Sequence, residues 1–190
     1  MKTEELIATP APQGRLHPLS VEAYHALGET GFLQDNTELL YGLVYRKMPK
    51  SPILQVLIAR LMRAFAAIDQ QRFWLRNEGP ITFADSEPEP DVSIVYGTVD
   101  DFIRSHPTTA EFIGEVCVTS HEYDRSKLRA YAAAGVKEWW LVLQPEKIVE
   151  VYRKPANGKF SETKMVASPA HLTGEAFSNI TVDLEQFFRE

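Results

Sequence analysis

The sequence is poor in the residues on which many functional readings depend. Its 190 residues hold one cysteine, Cys117, so no internal disulfide can form, and a reducing, intracellular compartment is expected. No apolar run approaches the length of a membrane span. Met1 to Leu19 carries Lys2, Glu4, Glu5 and Arg15 among prolines and alanines, without the apolar stretch of a signal sequence. The chain is therefore expected to be cytoplasmic, with no membrane partner. There is no Gly-rich phosphate loop and no nucleophile elbow. His17, His25, His106, His121 and His171 show no zinc-ligand spacing. An excess of positive charge is missing as well: 20 Lys and Arg stand against 26 Asp and Glu, a formal charge of −6. That balance argues against tight, non-specific binding of nucleic acid, unless bound metal offsets the acids or the basic residues cluster on one face.

What is present reads as one globular domain. Hydrophobic residues make up 44% and charged residues 24%, an ordinary mixture for a packed core. Residues 1–18 read as a flexible leader and residues 19–190 as a single domain. Ser20 is a good N-cap for a helix ending near Gly31, with Leu19 and Tyr24 at staple positions. Thr37 to Met48 reads as a β-hairpin turning near Gly42. An apolar stripe through Ile53, Val56, Leu57, Leu61, Ala64, Phe65 and Ile68 predicts a helix over Pro52 to Gln71.

Short strands are expected around Phe73 to Arg76 and Ile81 to Phe83. A strand over Asp91 to Tyr96, a short helix near Val99 to Ser105 and a central apolar strand over Phe112 to Val118 follow. A helix over Asp124 to Ala134 should lead to a strand over Glu138 to Leu143. Asn157-Gly158 marks a hairpin between strands starting at Ile148 and Lys159. The tail over Phe177 to Glu190 reads as a short strand and a helical turn. The order predicts an α/β (α+β) fold, a mixed β-sheet flanked by helices.

Two carboxylates stand where a strand should be apolar. Asp91 opens Val92-Ser93-Ile94-Val95, and Glu115 interrupts Phe112-Ile113-Gly114 and Val116-Cys117-Val118. A buried carboxylate costs several kcal/mol unless it is paired or metal-bound, on the order of a buried ion's desolvation. A divalent cation would reconcile two such acids, and Mg²⁺ takes one or two carboxylates plus water and substrate oxygens. Spacing alone leaves the other reading open, that each is a strand-end acid facing solvent or pairing with arginine. Lys127, on the following helix, can reach back towards Glu115, where a lysine can orient or deprotonate water or steady negative charge. Asp124 reads as a capping or first-turn acid, and Arg125 and Arg129 as a solvated helix face. Glu38 in the first hairpin either completes a metal shell or lies on the surface. Cys117 shares the Glu115 face of its strand and reads as a small core residue. At least one of Trp139 and Trp140 is expected in the core, and an interface stays open to the other.

Taken in order, these pieces resemble the Uma-type putative restriction endonuclease family of the PD-(D/E)XK superfamily. Leu19-Ser20-Val21-Glu22-Ala23-Tyr24 is similar to its opening helix and Glu38-Leu39-Leu40-Tyr41-Gly42 to its first hairpin. Ser86-Glu87-Pro88-Glu89-Pro90-Asp91-Val92 is similar to its Pro-Asp signature. Glu115-Val116-Cys117-Val118-Thr119-Ser120 resembles its core strand. The stretch from Asp124-Arg125-Ser126-Lys127 through Tyr131 and Ala134-Gly135-Val136 to Glu138-Trp139-Trp140-Leu141-Val142 resembles its most distinctive part.

The resemblance implies a restriction-endonuclease-like fold and a Mg²⁺- or Mn²⁺-dependent phosphodiesterase acting on DNA, with Asp91 and Glu115 as metal ligands. It implies Glu38 as an additional acid and Lys127 as the lysine displaced from the position that Cys117 occupies here. Tyr41 stands where the family often has Asp, and Leu54 and Gln55 where it often has His. An inactive nuclease-fold module that binds nucleic acid is the alternative. A homodimer is expected because cutting both strands pairs two sites, and an assembly through the Trp139-Trp140 strand or the C-terminal hairpin is a further possibility.

Overall fold

The computed structural model describes residues 16–33, 36–119 and 121–189. The leader expected over 1–18 lies, up to residue 15, outside the described residues. Ser20 accepts the Ala23 N–H at 3.2 Å and so starts helix α1 (Val21–Glu29), which ends just before Gly31 as its sequence signals. Strands β1 (Thr37–Leu40) and β2 (Leu43–Arg46) pair antiparallel. Tyr41 and Gly42 between them both take positive φ, 54° and 72°, the two-residue turn whose twist suits a hairpin.

Helix α2 (Pro52–Ala64) starts at the Ser51 N-cap and stops earlier than its apolar stripe predicts. Phe65 turns inward against Phe112 and Trp140, at ring-centroid distances of 4.4 and 5.6 Å. The Asp69 side chain then takes the Gln71 N–H at 3.0 Å, a local bond that competes with helix and turns the chain into β3 (Phe73–Asn77).

The strand expected over Ile81 to Phe83 does not form. Ile81 is fully buried, but the N–H groups of Ile81, Thr82 and Phe83 go to the carbonyls of Pro88, Pro107 and Ser86 in turn. Three unrelated partners make a packed loop, not a ladder. Strand β4 (Val92–Tyr96), a 3₁₀ turn (Val99–Phe102) and β5 (Phe112–Cys117) follow as expected. The single helix predicted over Asp124 to Ala134 is two short ones, α3 (Glu122–Ser126) and α4 (Leu128–Ala133), broken at Lys127. Strands β6 (Glu138–Leu143), β7 (Ile148–Ala156) and β8 (Lys159–Ala167) complete the main sheet. The tail forms β9 (His171–Thr173), which was not expected, paired with β10 (Thr181–Asp183), and a last turn α5 (Leu184–Phe187).

The main sheet has six strands in the order β3-β4-β5-β6-β7-β8. Only β5 and β6 are parallel, joined by α3 and α4; the other pairs are antiparallel. This is the predicted mixed sheet flanked by helices. Alternation along the strands splits the core in two. Val92, Ile94, Phe112, Val116, Trp140 and Val142 meet α2 and the C-terminal elements on one face. Val95, Ile113, Cys117, Tyr131, Trp139 and Leu141 form the other. Both tryptophans are therefore core residues, one on each face, and β6 lies between β5 and β7. An interface through that strand is ruled out. Among the described residues no helix is long and apolar enough to cross a membrane.

Gly114, in the middle of β5, fixes how closely α2 lies on the sheet. A Cβ there would come within 2.5 Å of Leu61 Cδ2, and Leu61 is itself buried. Gly114→Ala should therefore overpack this face and lower stability by about 1–3 kcal/mol. Urea unfolding of the two proteins checks this, and an unchanged midpoint would show that α2 can give way.

Candidate active site

Register brings the two strand acids together. Val92 pairs with Gly114 across β4 and β5, so Asp91 and Glu115 fall beside each other one step further on, facing the α4 side. Their bonds show it. The Asp91 N–H donates to Glu115 Oε2 at 3.3 Å, and the Val116 N–H donates to Asp91 Oδ2 at 2.8 Å. Each carboxylate is held by backbone of the other strand.

Lys127 comes from the break between α3 and α4 and is 3% exposed. Its ammonium lies 3.0 Å from Glu115 Oε1, 3.3 Å from Glu38 Oε2 and 3.4 Å from Asp124 Oδ1. The Tyr131 hydroxyl donates to the same Glu115 oxygen at 2.6 Å. Glu38 is buried on β1 and also accepts the Glu89 N–H at 3.1 Å. Asp124 is more than a first-turn acid, since it accepts from Cys117 Sγ at 3.0 Å as well. Glu38, Asp91, Glu115 and Lys127 thus meet in one cluster. Arg125 is not on a free helix face: it forms an ion pair with the buried Glu150.

Burial governs the electrostatics. It pushes the Glu115 carboxyl up to about 8, with Asp124, Asp91 and Glu38 adding to the rise and Lys127 opposing it. Burial likewise raises Asp91, against the Val116 N–H and Lys50. Burial disfavours the Lys127 ammonium too, yet Glu115, Tyr131, Glu38 and Asp124 outweigh it and hold the group well above its usual value. The Cys117 thiol is pushed up by burial and by Asp124, which removes it as a nucleophile.

Tyr41 explains the helix break. Its hydroxyl donates to the Ser126 carbonyl at 2.8 Å and accepts the Ala130 N–H at 3.0 Å. It serves both helix ends and fixes the turn from which Lys127 projects. Gln55, near the start of α2, is exposed and lines a hollow of about 450 Å³ together with Asn77 and Glu78. A second hollow of about 500 Å³ is walled by Tyr41, Phe83, Asp85, Arg129 and Ala130, among others. None of Glu38, Asp91, Glu115 and Lys127 lines either hollow.

Sequence reasoning gave no role to Tyr131, Tyr123 or Lys50. Tyr131 lies four residues after Lys127, the spacing that places two side chains on one helix face, and this signal was available. The Tyr123 ring lies 5.1 Å from the Lys127 ammonium. Lys50 Nζ lies 3.7 Å from Asp91 Oδ1, across a loop that no local pattern announces.

Among the described residues no group of three or more His, Cys, Asp or Glu side chains is arranged to hold a metal ion, because Lys127 stands among three of the acids. Asp91 and Glu115 remain as a pair. Asp91 Oδ1 faces only Lys50 among the described residues, and Glu115 Oε2 has one long backbone bond. Two adjacent carboxylates, each with one oxygen held only by a long contact, suit Mg²⁺ or Mn²⁺, which complete their shells with water and substrate.

A six-stranded mixed sheet with paired acids at the β4–β5 junction and a buried lysine behind them defines a restriction-endonuclease-like fold. The chain belongs to the Uma2 family, described as putative restriction endonucleases, whose model matches residues 21–185. Among solved structures it is similar to a putative nuclease belonging to DUF820 from Anabaena variabilis, with a TM-score of 0.75 and 16% identity, over 90% of this chain and 98% of that one. At that identity the likeness speaks for the fold. No curated protein matches.

Two outcomes follow. Tyr41→Phe should leave the Ser126 carbonyl and Ala130 N–H without their partner and lower stability by about 1–3 kcal/mol, read by urea unfolding. The second concerns pH. Glu115 titrates higher in the folded chain than its ordinary 4.5, so its contribution is fully present below about pH 4.5 and lost as pH rises towards 8. Lys127 and Tyr131 face it, with Asp91, Asp124 and Glu38 around them. With a chelator present, wild type should lose stability relative to Glu115→Gln between pH 5 and 8, whereas parallel curves would mean that Glu115 is ionised throughout.

Proposed function

We propose that the chain is a divalent-metal-dependent endonuclease that hydrolyses DNA phosphodiester bonds. The observation that carries this reading is the adjacency of Asp91 and Glu115 across β4 and β5, with the Lys127 ammonium bonded to Glu115. Asp91 and Glu115 would hold Mg²⁺ or Mn²⁺. Such a cation polarises the scissile phosphate and lowers the pKa of a bound water.

The protein's own groups have distinct tasks. Lys127 stays protonated among its acids, so it serves as fixed positive charge that steadies Glu115 and the negative charge developing nearby. It is not a base. Tyr131 orients Glu115 through its hydroxyl. Glu38 and Asp124 act as counter-ions that position Lys127, which assigns Glu38 to the lysine and away from the metal. Cleavage of both strands calls for two copies of the site, hence a homodimer.

A second reading is supported by the close packing of the cluster. Lys127 is engaged by three acids, and the −6 charge disfavours non-specific binding. An inactive module would keep the closed cluster and would bind nucleic acid through specific contacts only.

Cleavage of a mixed DNA and RNA panel with Mg²⁺ or Mn²⁺ separates the two. Wild type should cut DNA, and a chelator should stop it. Asp91→Asn, which keeps an acceptor for the Val116 N–H, should lose at least about 100-fold in rate. Metal-dependent binding without cleavage would favour the module instead, and equal cleavage by both proteins would misplace the site.

A further inference from the structure

Lysines flank the acid pair from two sides. Lys127 approaches from beneath the sheet. Lys50 approaches from outside, on the connection between β2 and α2, with 23% of its side chain exposed. Its ammonium is 3.7 Å from Asp91 Oδ1 and forms an ion pair with Glu78. Glu78 is itself tied to Asp91, since its N–H donates to the Asp91 carbonyl at 3.2 Å. Lys50 therefore has two anchors, one of them on a proposed metal ligand and the other beside it.

Asp91 Oδ1 cannot serve an ammonium and a divalent cation equally. The Asp91 Oδ2 atom is held by the Val116 N–H at 2.8 Å, so Oδ1 is the oxygen left for a ligand. A cation at about 2.1 Å from it would lie at most roughly 6 Å from Lys50 Nζ, and the two charges repel. The ion pair with Glu78 would keep the lysine at the site if Oδ1 took a cation in its place. A phosphodiester at such a cation would bring non-bridging oxygens within reach, and an ammonium with three donors can bind them without a fixed geometry.

We propose that Lys50 is a substrate-binding residue that competes with the cation for Asp91 and passes to a phosphate oxygen of the nucleic-acid strand when the cation binds. The proposal rests on the reading that Asp91 and Glu115 hold a divalent cation. It makes Lys50 a contact that grips the strand only in the metal-loaded site, so that metal binding and substrate binding favour each other.

Calorimetric titration of the full chain with Mn²⁺, without nucleic acid, tests the competition directly. Lys50→Met, which keeps the apolar stem, should bind Mn²⁺ about 3- to 10-fold more tightly than wild type, while Lys50→Arg should bind like wild type. In cleavage assays Lys50→Met should raise KM about 10-fold with a smaller change in kcat, and the salt dependence of KM should become shallower by about one phosphate contact. Equal Mn²⁺ affinities for wild type and Lys50→Met, with binding abolished by Asp91→Asn, would overturn the role of Lys50 and leave the metal site standing. Absence of Mn²⁺ binding by wild type would overturn the metal reading itself, and the proposal with it.

Discussion

An ammonium group taken out of water is stable only where opposite charge and hydrogen-bond acceptors replace its hydration. Lys127 meets that condition with three carboxylates drawn from three parts of the chain: β1, β5 and α3. The arrangement runs in both directions. The acids are tolerated under the sheet because the lysine is there, and the lysine stays charged because the acids are. Several otherwise separate features serve this group. The break between α3 and α4 puts Lys127 at a turn, Tyr41 ties the two helix ends, and the Glu89 N–H fixes Glu38.

The sheet divides two demands between its faces. On one face Gly114 lets α2 settle closely on β5, giving the tight apolar packing that holds the strand in place. On the other, the neighbouring residue Glu115 and the end-of-strand Asp91 point into a polar cluster. A strand can do both because adjacent side chains point opposite ways. The same division explains why neither large hollow coincides with the acids. The polar cluster is filled with side chains, and its outer opening is the oxygen of Asp91 that faces Lys50.

Much of this was legible in the sequence where the signal was local. The Ser20 cap, the two hairpin turns, the apolar strands β5 and β6 and the acids interrupting apolar runs all follow from neighbouring residues. Asp91, Glu115, Lys127 and Glu38 could be singled out, and they do converge. Where the reading failed, distant contacts had overridden local pattern. The stripe of α2 continues through Phe65 and Ile68, yet Phe65 is claimed by Phe112 and Trp140. Ile81 looks like a strand residue because it is apolar, but the N–H groups of Ile81, Thr82 and Phe83 go to three separate loop carbonyls and to no partner strand. The helix over Asp124 to Ala134 shows no breaker, and its interruption depends on a tyrosine more than eighty residues upstream. Lys50 carries no local mark at all, because its meaning comes from Asp91 across the fold.

The hairpin of β1 and β2 stands outside the six-stranded sheet. Its ties to the rest of the chain include the bridge between Leu39 and Glu87, the Leu19 and Asp85 bonds to Gly42, the Tyr41 hydroxyl, the Glu38 bonds to Lys127 and Glu89, and the burial of Leu39 and Leu40. Two strands alone are marginal in water, so this ribbon depends on docking. The three-strand run from β6 to β8 is joined by short hairpin connections, whereas the ribbon must cross more than eighty residues of chain to reach α4. Hydrogen exchange would find the ribbon opening with a free energy below that of global unfolding, so that the chain can lose Glu38 and Tyr41 from the cluster while the sheet remains intact.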